Sequence, residues 1–421
     1  METFTFWTAI IVVILTVIAL VKRIETRLVL LTAGFFLCCI SLDPMAGLNQ
    51  FAKSMTNSGL IQSICSSMGF AFLVAYTKVD LHLVQLLTRP MKALGIFLIP
   101  ACTLVTAVIN AAIPSAAGCA AAVATTLLPV MIRAGISPAG AGAAILAGTF
   151  GSSFNPGNPH AVMISGMAGM EPMGFIISHS VMYSAMVLLG AVLVTIIEVV
   201  FLKDHKSGGG TAEFEGMGEE IKNLNLLWAA APLVPLVLLL LGNTCVPTLR
   251  MGVAHAMLIG AIYTMAVTLC NPQKAVTEFF IGAGKGYGNV LGIIIAAGVF
   301  AGGLREAGLV DALIDGLKTV GEYARIGGGT GVFLMAILTG SGDAATFAFN
   351  EAVTPHAAEL GMNISNLGNT ALISAQLGRT MSPVAGVVIL LSGMCKVSPL
   401  ELVKRTAVPM LACFTCVMLF F

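Results

Sequence analysis

Four short stretches of this sequence place polar and helix-breaking residues inside long apolar surroundings, where they could do binding chemistry. One is Asn110-Ala-Ala-Ile-Pro114-Ser115-Ala-Ala-Gly118, and a similar one is Thr339-Gly340-Ser341-Gly342-Asp343. The other two are Asn155-Pro156-Gly157-Asn158-Pro159-His160 and Arg379-Thr380-Met381-Ser382-Pro383. Pro removes a backbone donor, and Gly, Asn and Ser favour turns and caps, so a helix that meets such a stretch opens. The helix starting beyond the opening presents free N–H groups and a partial positive charge. Four such ends converging would make an anion site from backbone alone, with Asn155, Gly157 and Asn158 as candidate contacts at the first break. Freed carbonyls on the opposite side, including the Asn110 turn, could hold a coupling cation. The competing reading is that Gly, Pro and Ser only permit kinks and close helix packing.

The titratable residues near these stretches sharpen the choice. Arg379 stands between the apolar runs Ala371–Leu377 and Val384–Leu391. A cation at such depth costs about 2.5–3.5 kcal/mol on insertion scales, and its planar fork suits a carboxylate. The alternative is an internal salt bridge to Asp343 or Glu351. Asp343 could accept a proton, help ligate Na⁺ or cap the helix that follows. Glu351 is either a buried hydrogen-bonded acid or a proton carrier, with His356 nearer the far end of that helix. His160 could titrate near neutral pH or be an ordinary satisfied polar residue.

Several other patterns carry no such chemistry. Gly282-Ala-Gly284-Lys285-Gly286-Tyr-Gly288 looks like a phosphate loop, yet no strand precedes it and an apolar run follows. Gly327-Gly-Gly-Thr-Gly331 reads as a turn. Cys413 and Cys416 have the spacing of metal ligands, but no further ligands lie nearby, so packing is expected and no metal. No hydrolase triad appears, and the sequence predicts neither an enzyme nor a cofactor beyond Na⁺ or H⁺.

The elements that must position these residues are membrane spans. Of 421 residues 57% are hydrophobic and only 10% charged, against about 25% charged in soluble domains. A net charge of +1 gives no pointer to nucleic acid, and the lipid bilayer is the expected partner. The early charge Glu2 and the late Lys22, Arg23 and Arg27 do not form a cleaved signal. A span needs roughly 20 apolar residues. Runs near that length are Phe6–Val21, Leu28–Leu42, Gly59–Tyr76, Phe175–Phe201, Leu226–Leu241, Met251–Leu269, Val290–Gly302 with its flanks, and Pro399–Phe421.

The chain also repeats. Ser115 and Ser341 lie 226 residues apart (341 minus 115), as do Pro129 and Pro355, and Gly135 and Gly361. One inserted residue then aligns Pro156 with Pro383, Ser165-Gly166-Met167 with Ser392-Gly393-Met394, and Pro172 with Pro399. Paired interruptions of this kind point to a transporter binding site. The predicted fold is an all-α membrane protein of two inverted repeats, each with about five transmembrane helices. The first repeat covers 1–202, with a re-entrant hairpin at about 92–134 and a broken helix at about 137–170. A cytoplasmic linker covers 203–225. The second repeat covers 226–421, with a hairpin at about 326–360 and a broken helix at about 364–395. Positive charge sets the orientation. With both termini outside, the outer side collects only Lys53, Arg250, Arg305, Lys318 and Arg325, and every other Lys and Arg except Arg379 falls in a cytoplasmic loop.

Gly340–Ala357 (GSGDAATFAFNEAVTPHA), Gln376–Val388 (QLGRTMSPVAGVV) and Val397–Pro409 (VSPLELVKRTAVP) resemble the DcuC family of anaerobic C4-dicarboxylate carriers. In the first half Pro114–Gly118 and Leu128–Ser137 are similar to the family pattern too. The resemblance implies bacterial inner-membrane carriage of fumarate, malate, aspartate or succinate. It also implies a homodimer of elevator type, whose hairpin-bearing transport domain slides against a fixed scaffold. By motif, it makes Ser115, Ser341, Gly342, Asp343, Arg379, Thr380, Ser382 and Pro383 substrate and ion contacts. The chain departs from the family pattern at Asn155–His160, and at Asp343, where an amide is expected. Exchange and cation-coupled symport are both open. The rival expectations are another organic anion or amino acid on the same fold and, further off, an anion channel.

Overall fold

A computed structural model describes residues 2–206, 223–320 and 324–420, and among them every regular element is helical. The first half begins with α1 (Glu2–Val21), α2 (Thr26–Ile40), α3 (Pro44–Met55), α4 (Ser58–Thr77) and α5 (Val79–Thr88). It continues with α6 (Leu98–Ala112), α7 (Ala116–Arg133), α8 (Pro138–Gly148), α9 (Pro159–Met167) and α10 (Pro172–Ile196). The second half begins with α11 (Leu226–Ala230) and α12 (Val234–Thr244), then α13 (Val253–Thr268), α14 (Pro272–Lys285), α15 (Gly292–Glu306) and α16 (Leu309–Val320). It ends with α17 (Ala324–Thr339), α18 (Gly342–Ala352), α19 (Ile364–Thr380), α20 (Gly386–Cys395) and α21 (Pro399–Phe420). The helices α6, α7 and α8 start 226 residues before α17, α18 and α19 (324 minus 98 for the first), and α9 and α10 start 227 before α20 and α21. The spacing of the sequence matches is therefore the spacing of the helix starts.

Local chemistry explains those starts. Ser137, Asn158 and Asn363 accept backbone N–H bonds at the beginnings of α8, α9 and α19. Pro138, Pro159, Pro172 and Pro399 open their helices, where a missing N–H would have had no partner. α6 and α7 are joined by three residues and form the first hairpin, and α17 and α18 form the second across Gly340-Ser341. α8 runs on as a 3₁₀ turn, Thr149–Phe154, before the chain breaks and α9 begins. α19 breaks at Met381–Ala385 before α20. Of the expected linker, residues 207–222 lie outside the described residues, Lys222 among them; so do residues 321–323, beside the second hairpin.

One expectation is corrected. Gly327–Gly331 does not turn but lies within α17. A Cβ at Gly328 would come within 2.9 Å of the Phe349 ring, and one at Gly329 within 2.8 Å of Met418, so these glycines let helices approach closely. The glycines from 282 to 288 are likewise helical: α14 passes into a π-helical turn, Gly286–Leu291, and thence into α15. The apolar runs also gave no sign of the shorter α3, α5 and α16, since a helix of mixed polarity leaves no long hydrophobic run.

Six described helices are long and apolar enough to cross a membrane. Their outer faces expose large apolar side chains such as Val181, Leu188 and Val192 of α10 and Leu411 and Leu419 of α21. α7 counts among the six by length and composition, although it starts at a hairpin tip. Inside, α15 packs on α2, α3 and α18, while α19 packs on α17, α18 and α21. Where α2 meets α15, a Cβ at Gly34 would fall 2.5 Å from the Phe300 backbone, so only glycine permits that crossing. At the far end of α10, Arg405 of α21 donates to both oxygens of buried Asp204 at 2.8 Å, and Ser137 donates to Asp204 at 2.6 Å. All ten cysteines are free thiols, and Cys413 packs in a core between α10 and α21.

Candidate substrate site

Both hairpin tips and both breaks open onto one cavity of about 460 Å³. Its wall includes the first residues of four helices: Ala116 and Ala117 of α7, Pro159 and His160 of α9, Gly342 and Asp343 of α18, and Gly386 and Val387 of α20. Ser115 caps α7 by accepting from the Gly118 N–H at 3.1 Å, and Asn158 caps α9 by accepting from the His160 N–H at 3.0 Å. The caps of α18 and α20, Ser341 and Ala385, accept no such bond from their side chains. Those two helix starts therefore keep N–H groups for another acceptor, and helix starts attract negative charge.

The first break is held by amides. Buried Asn110 donates to the Ile113 carbonyl at 2.9 Å and accepts from the Ser152 N–H at 2.7 Å, tying the hairpin tip to the 3₁₀ turn. Asn155 donates to the Ala111 carbonyl at 2.6 Å and accepts from the Gly157 N–H at 2.7 Å. Asn158 also donates to the Ser152 carbonyl at 3.0 Å. Of the first-break candidates, Gly157 and Asn158 line the cavity. Asn155 and Asn110 stand behind that wall, with their amides spent on the backbone.

The second break is held differently. Gly340 has φ +69°, a region that favours glycine, and a Cβ there would lie 2.7 Å from the Val384 backbone. Hairpin tip and break thus touch at a residue that can be nothing larger. Ser382 donates to the Ile337 carbonyl at 2.6 Å, and Thr380 donates to the Gln376 carbonyl at 2.8 Å. Arg23 of the loop after α1 hydrogen-bonds the Val384 carbonyl. Of the candidates carried by motif, Ser115, Ser341, Gly342, Asp343 and Arg379 line the cavity. Thr380, Ser382 and Pro383 do not; their hydroxyls and ring hold the break in shape.

Three titratable side chains line the cavity, Arg379, Asp343 and His160. Arg379 lies in the last turn of α19, and its Nε and Nη2 are buried without a hydrogen-bond partner among the described residues. Asp343 lies in the first turn of α18, with 58% of its side-chain surface open. Its Oδ1 meets His160 Nε2 at 2.9 Å, and the His160 ring stacks on Phe347 with centroids 4.2 Å apart. Arg379 and Asp343 feel each other's charge but form no ion pair. The internal salt bridge is thus not made, and Glu351 is no partner either.

Glu351 belongs elsewhere. It lines a second cavity of about 630 Å³ with Asn57, Ser63, Met167 and His255, along the later turns of α9. The distance follows from helix geometry, because Glu351 lies two turns beyond Asp343 on α18. As a coupling candidate it is therefore set apart from His160 and Asp343. Sequence reasoning missed Ser67 of α4, Asn289 of the π-helical turn, and Ser152, Thr346 and Gln376, all of which line the first cavity. Gln376 had a signal, since it stands one turn before Arg379 on the same helix face. Ser67 and Asn289 reach the site only through the packing of α4 on α9 and of α15 on α18. Among the described residues no cluster of three His, Cys, Asp or Glu could hold a metal.

Comparison with known proteins agrees with this architecture. The family model described as C4-dicarboxylate anaerobic carrier, DcuC, matches residues 42–421. The anaerobic C4-dicarboxylate transporter DcuC of Escherichia coli K12 is 30% identical over 365 residues, covering 84% of this chain and 77% of that one. An uncharacterized transporter of Haemophilus influenzae is 48% identical over 262 residues, covering 60% of this chain and 94% of that one. In fold, the chain is similar to the YdaH transporter of Alcanivorax borkumensis, with a TM-score of 0.58, 14% identity, and coverage of 88% and 85% of the two chains. With the two hairpins, two breaks and six apolar spans, the family match identifies the chain as a multi-pass membrane transporter, not an enzyme, and a member of the DcuC family of C4-dicarboxylate anaerobic carriers.

Proposed function

We propose that this protein is a secondary active transporter of C4-dicarboxylates such as fumarate, succinate, malate and aspartate. The observation that carries the reading is a single cavity bounded by four helix starts and by Arg379, whose guanidinium has unpartnered N–H groups. A carboxylate would take the forked N–H pair of Arg379, and a second would take the backbone N–H groups opening α18 and α20. The experiment is counterflow in proteoliposomes, with labelled succinate outside and unlabelled C4-dicarboxylates inside. Uptake that depends on the internal acid supports the reading. No uptake with any of the four acids inside removes the substrate class.

The finer reading is an elevator in which the part bearing α6–α10 and α17–α21 slides against α1–α5 and α11–α16. Its support is that the cavity lies between them, with Ser67 and Asn289 on one side and the tips and breaks on the other. Leu60 of α4 and Met163 of α9 share one apolar cluster across that boundary. Joining cysteines at these two positions should stop transport, and full activity after cross-linking would exclude sliding. Because Arg379 and Asp343 place opposite charges in the cavity, the empty carrier need not cross as a bare cation, so cation-coupled symport stands beside exchange. Varying Na⁺ and pH independently during uptake separates these modes. The bacterial inner membrane and a homodimer complete the proposal, and light scattering of the purified protein tests the dimer.

A second reading keeps the fold and changes the cargo to another organic anion. Its support is that the Asn155–His160 stretch and Asp343 depart from the family pattern, and Gly157–His160 and Asp343 of these line the cavity. A thermal-shift screen of organic acids separates the two, since a ligand that binds only the folded state raises the melting temperature.

A further inference from the structure

The wall of one cavity carries a cation with unpaired nitrogens, Arg379, and an anion open to the cavity, Asp343, and the two form no ion pair with each other. Arg379 keeps two buried nitrogens without hydrogen-bond partners among the described residues. Asp343 gives one oxygen, Oδ1, to His160 at 2.9 Å, and its Oδ2 has no hydrogen-bond partner among the described residues. With most of its side-chain surface open, this carboxylate faces the cavity instead of being buried in its wall. A site built only for two carboxylates is poorly served by it. Like charges at close range repel, and a low-dielectric setting strengthens the repulsion. An open carboxylate lining the same cavity as an unpaired guanidinium instead complements a ligand that carries an ammonium beside a carboxylate.

We propose that the site selects a C4-dicarboxylate bearing an α-ammonium group, such as L-aspartate, over dicarboxylates of the same length that lack it; this rests on the C4-dicarboxylate reading above. Arg379 takes the α-carboxylate through its forked N–H groups. Asp343 accepts from the ammonium through Oδ2. The side-chain carboxylate falls to the free N–H groups at the start of α20, where Gly386 and Val387 form the wall. His160, stacked on Phe347, holds Asp343 through Oδ1 and so keeps Oδ2 turned to the ligand. The charges also favour this ligand. Aspartate brings one net negative charge where succinate or malate brings two, so less uncompensated charge is carried into the membrane interior.

The decisive comparison is L-aspartate against L-malate, which replaces the ammonium with a hydroxyl on the same skeleton. Inhibition of labelled substrate uptake by each acid is measured in proteoliposomes holding the full chain, at fixed Na⁺ and pH. The expected result is that aspartate inhibits at a concentration at least about tenfold lower than malate. In Asp343→Asn that ratio should fall to about one or invert, because the amide offers the ammonium no charge. Thermal shifts on purified wild-type protein give the same ranking independently, so a variant that fails to fold leaves the test intact. Wild-type protein that binds malate or succinate as tightly as aspartate, or an Asp343→Asn ratio equal to that of wild type, overturns the inference while leaving C4-dicarboxylate transport standing. Binding of none of these acids overturns both.

Discussion

Arg379 at the end of α19 and Asp343 at the start of α18 line the same cavity, yet the guanidinium does not close on the carboxylate. His160 of α9 instead meets Asp343 Oδ1 at 2.9 Å, and Asp343 Oδ2 has no hydrogen-bond partner among the described residues. Two charges kept apart in this way are available to a ligand, and the consequences can be measured.

Arg379→Ala should weaken substrate binding by about 1.5–3 kcal/mol, the scale of a hydrogen bond to a charged group, or roughly tenfold to 150-fold. Arg379→Lys should restore little, because an ammonium cannot reproduce the planar fork. Substrate-induced thermal shift of each purified variant reads this directly. An alanine variant with the shift of the parent protein would remove Arg379 from the site.

The crossing of α4 with the first break depends on Gly157. A Cβ at that position would fall 2.2 Å from Ser67 Oγ and 2.7 Å from Ser67 Cβ. Gly157→Ala should therefore lower stability by about 1–3 kcal/mol, the range for overpacking. Pairing it with Ser67→Gly should recover most of the loss, whereas Ser67→Ala keeps the Cβ and should recover less. Melting temperatures of the single and double variants form the test.

Asn110 bridges the hairpin tip to the 3₁₀ turn before the first break. Asn110→Ala leaves the Ile113 carbonyl and the Ser152 N–H without that partner. Each buried orphan costs about 1–3 kcal/mol, so the variant should lose stability and transport together. Unchanged melting with lost transport would instead give Asn110 a direct part in ion or substrate binding.

The cluster just beyond the C-terminal end of α10 contains two acids of unequal standing. Asp204 is bonded by Arg405 and Ser137, while fully buried Glu198 has neither carboxyl oxygen hydrogen-bonded. Arg405→Ala should destabilise by about 3–5 kcal/mol, because it strands buried Asp204. Glu198→Gln keeps the shape and relieves crowding of like groups, so its melting temperature should equal or exceed that of the parent. A large fall for Glu198→Gln would assign that carboxyl a partner of its own.

Much of the architecture was legible because a bilayer imposes strict local rules. Runs of about 20 apolar residues must be helical there, and a break survives only where protein covers it. Hence Ser115 and Ser341, spaced 226 residues apart, marked both hairpin tips, and the Pro156 and Pro383 stretches marked both breaks. Arg379 stood out for the same reason, since a cation between two apolar runs is costly, but whether it pairs with Asp343 or Glu351 or stays free was open in the sequence. Gly327–Gly331 misled because a glycine run has the same composition whether it turns or packs a helix; the nearness of Phe349 and Met418 decides, and neither is local.

Only tertiary packing could separate residues that face the cavity from those that hold its wall. Ser341 and Ser382 both lie in interrupted stretches, yet Ser341 lines the cavity and Ser382 spends its hydroxyl on the Ile337 carbonyl. Packing also brought Asp343 to His160 across 183 residues, sent Glu351 to a different cavity, and added Ser67 and Asn289 from helices that carry no motif. The physical reason is range. Span length, caps and breaks follow from a few adjacent residues, whereas the company a side chain keeps depends on how distant helices meet.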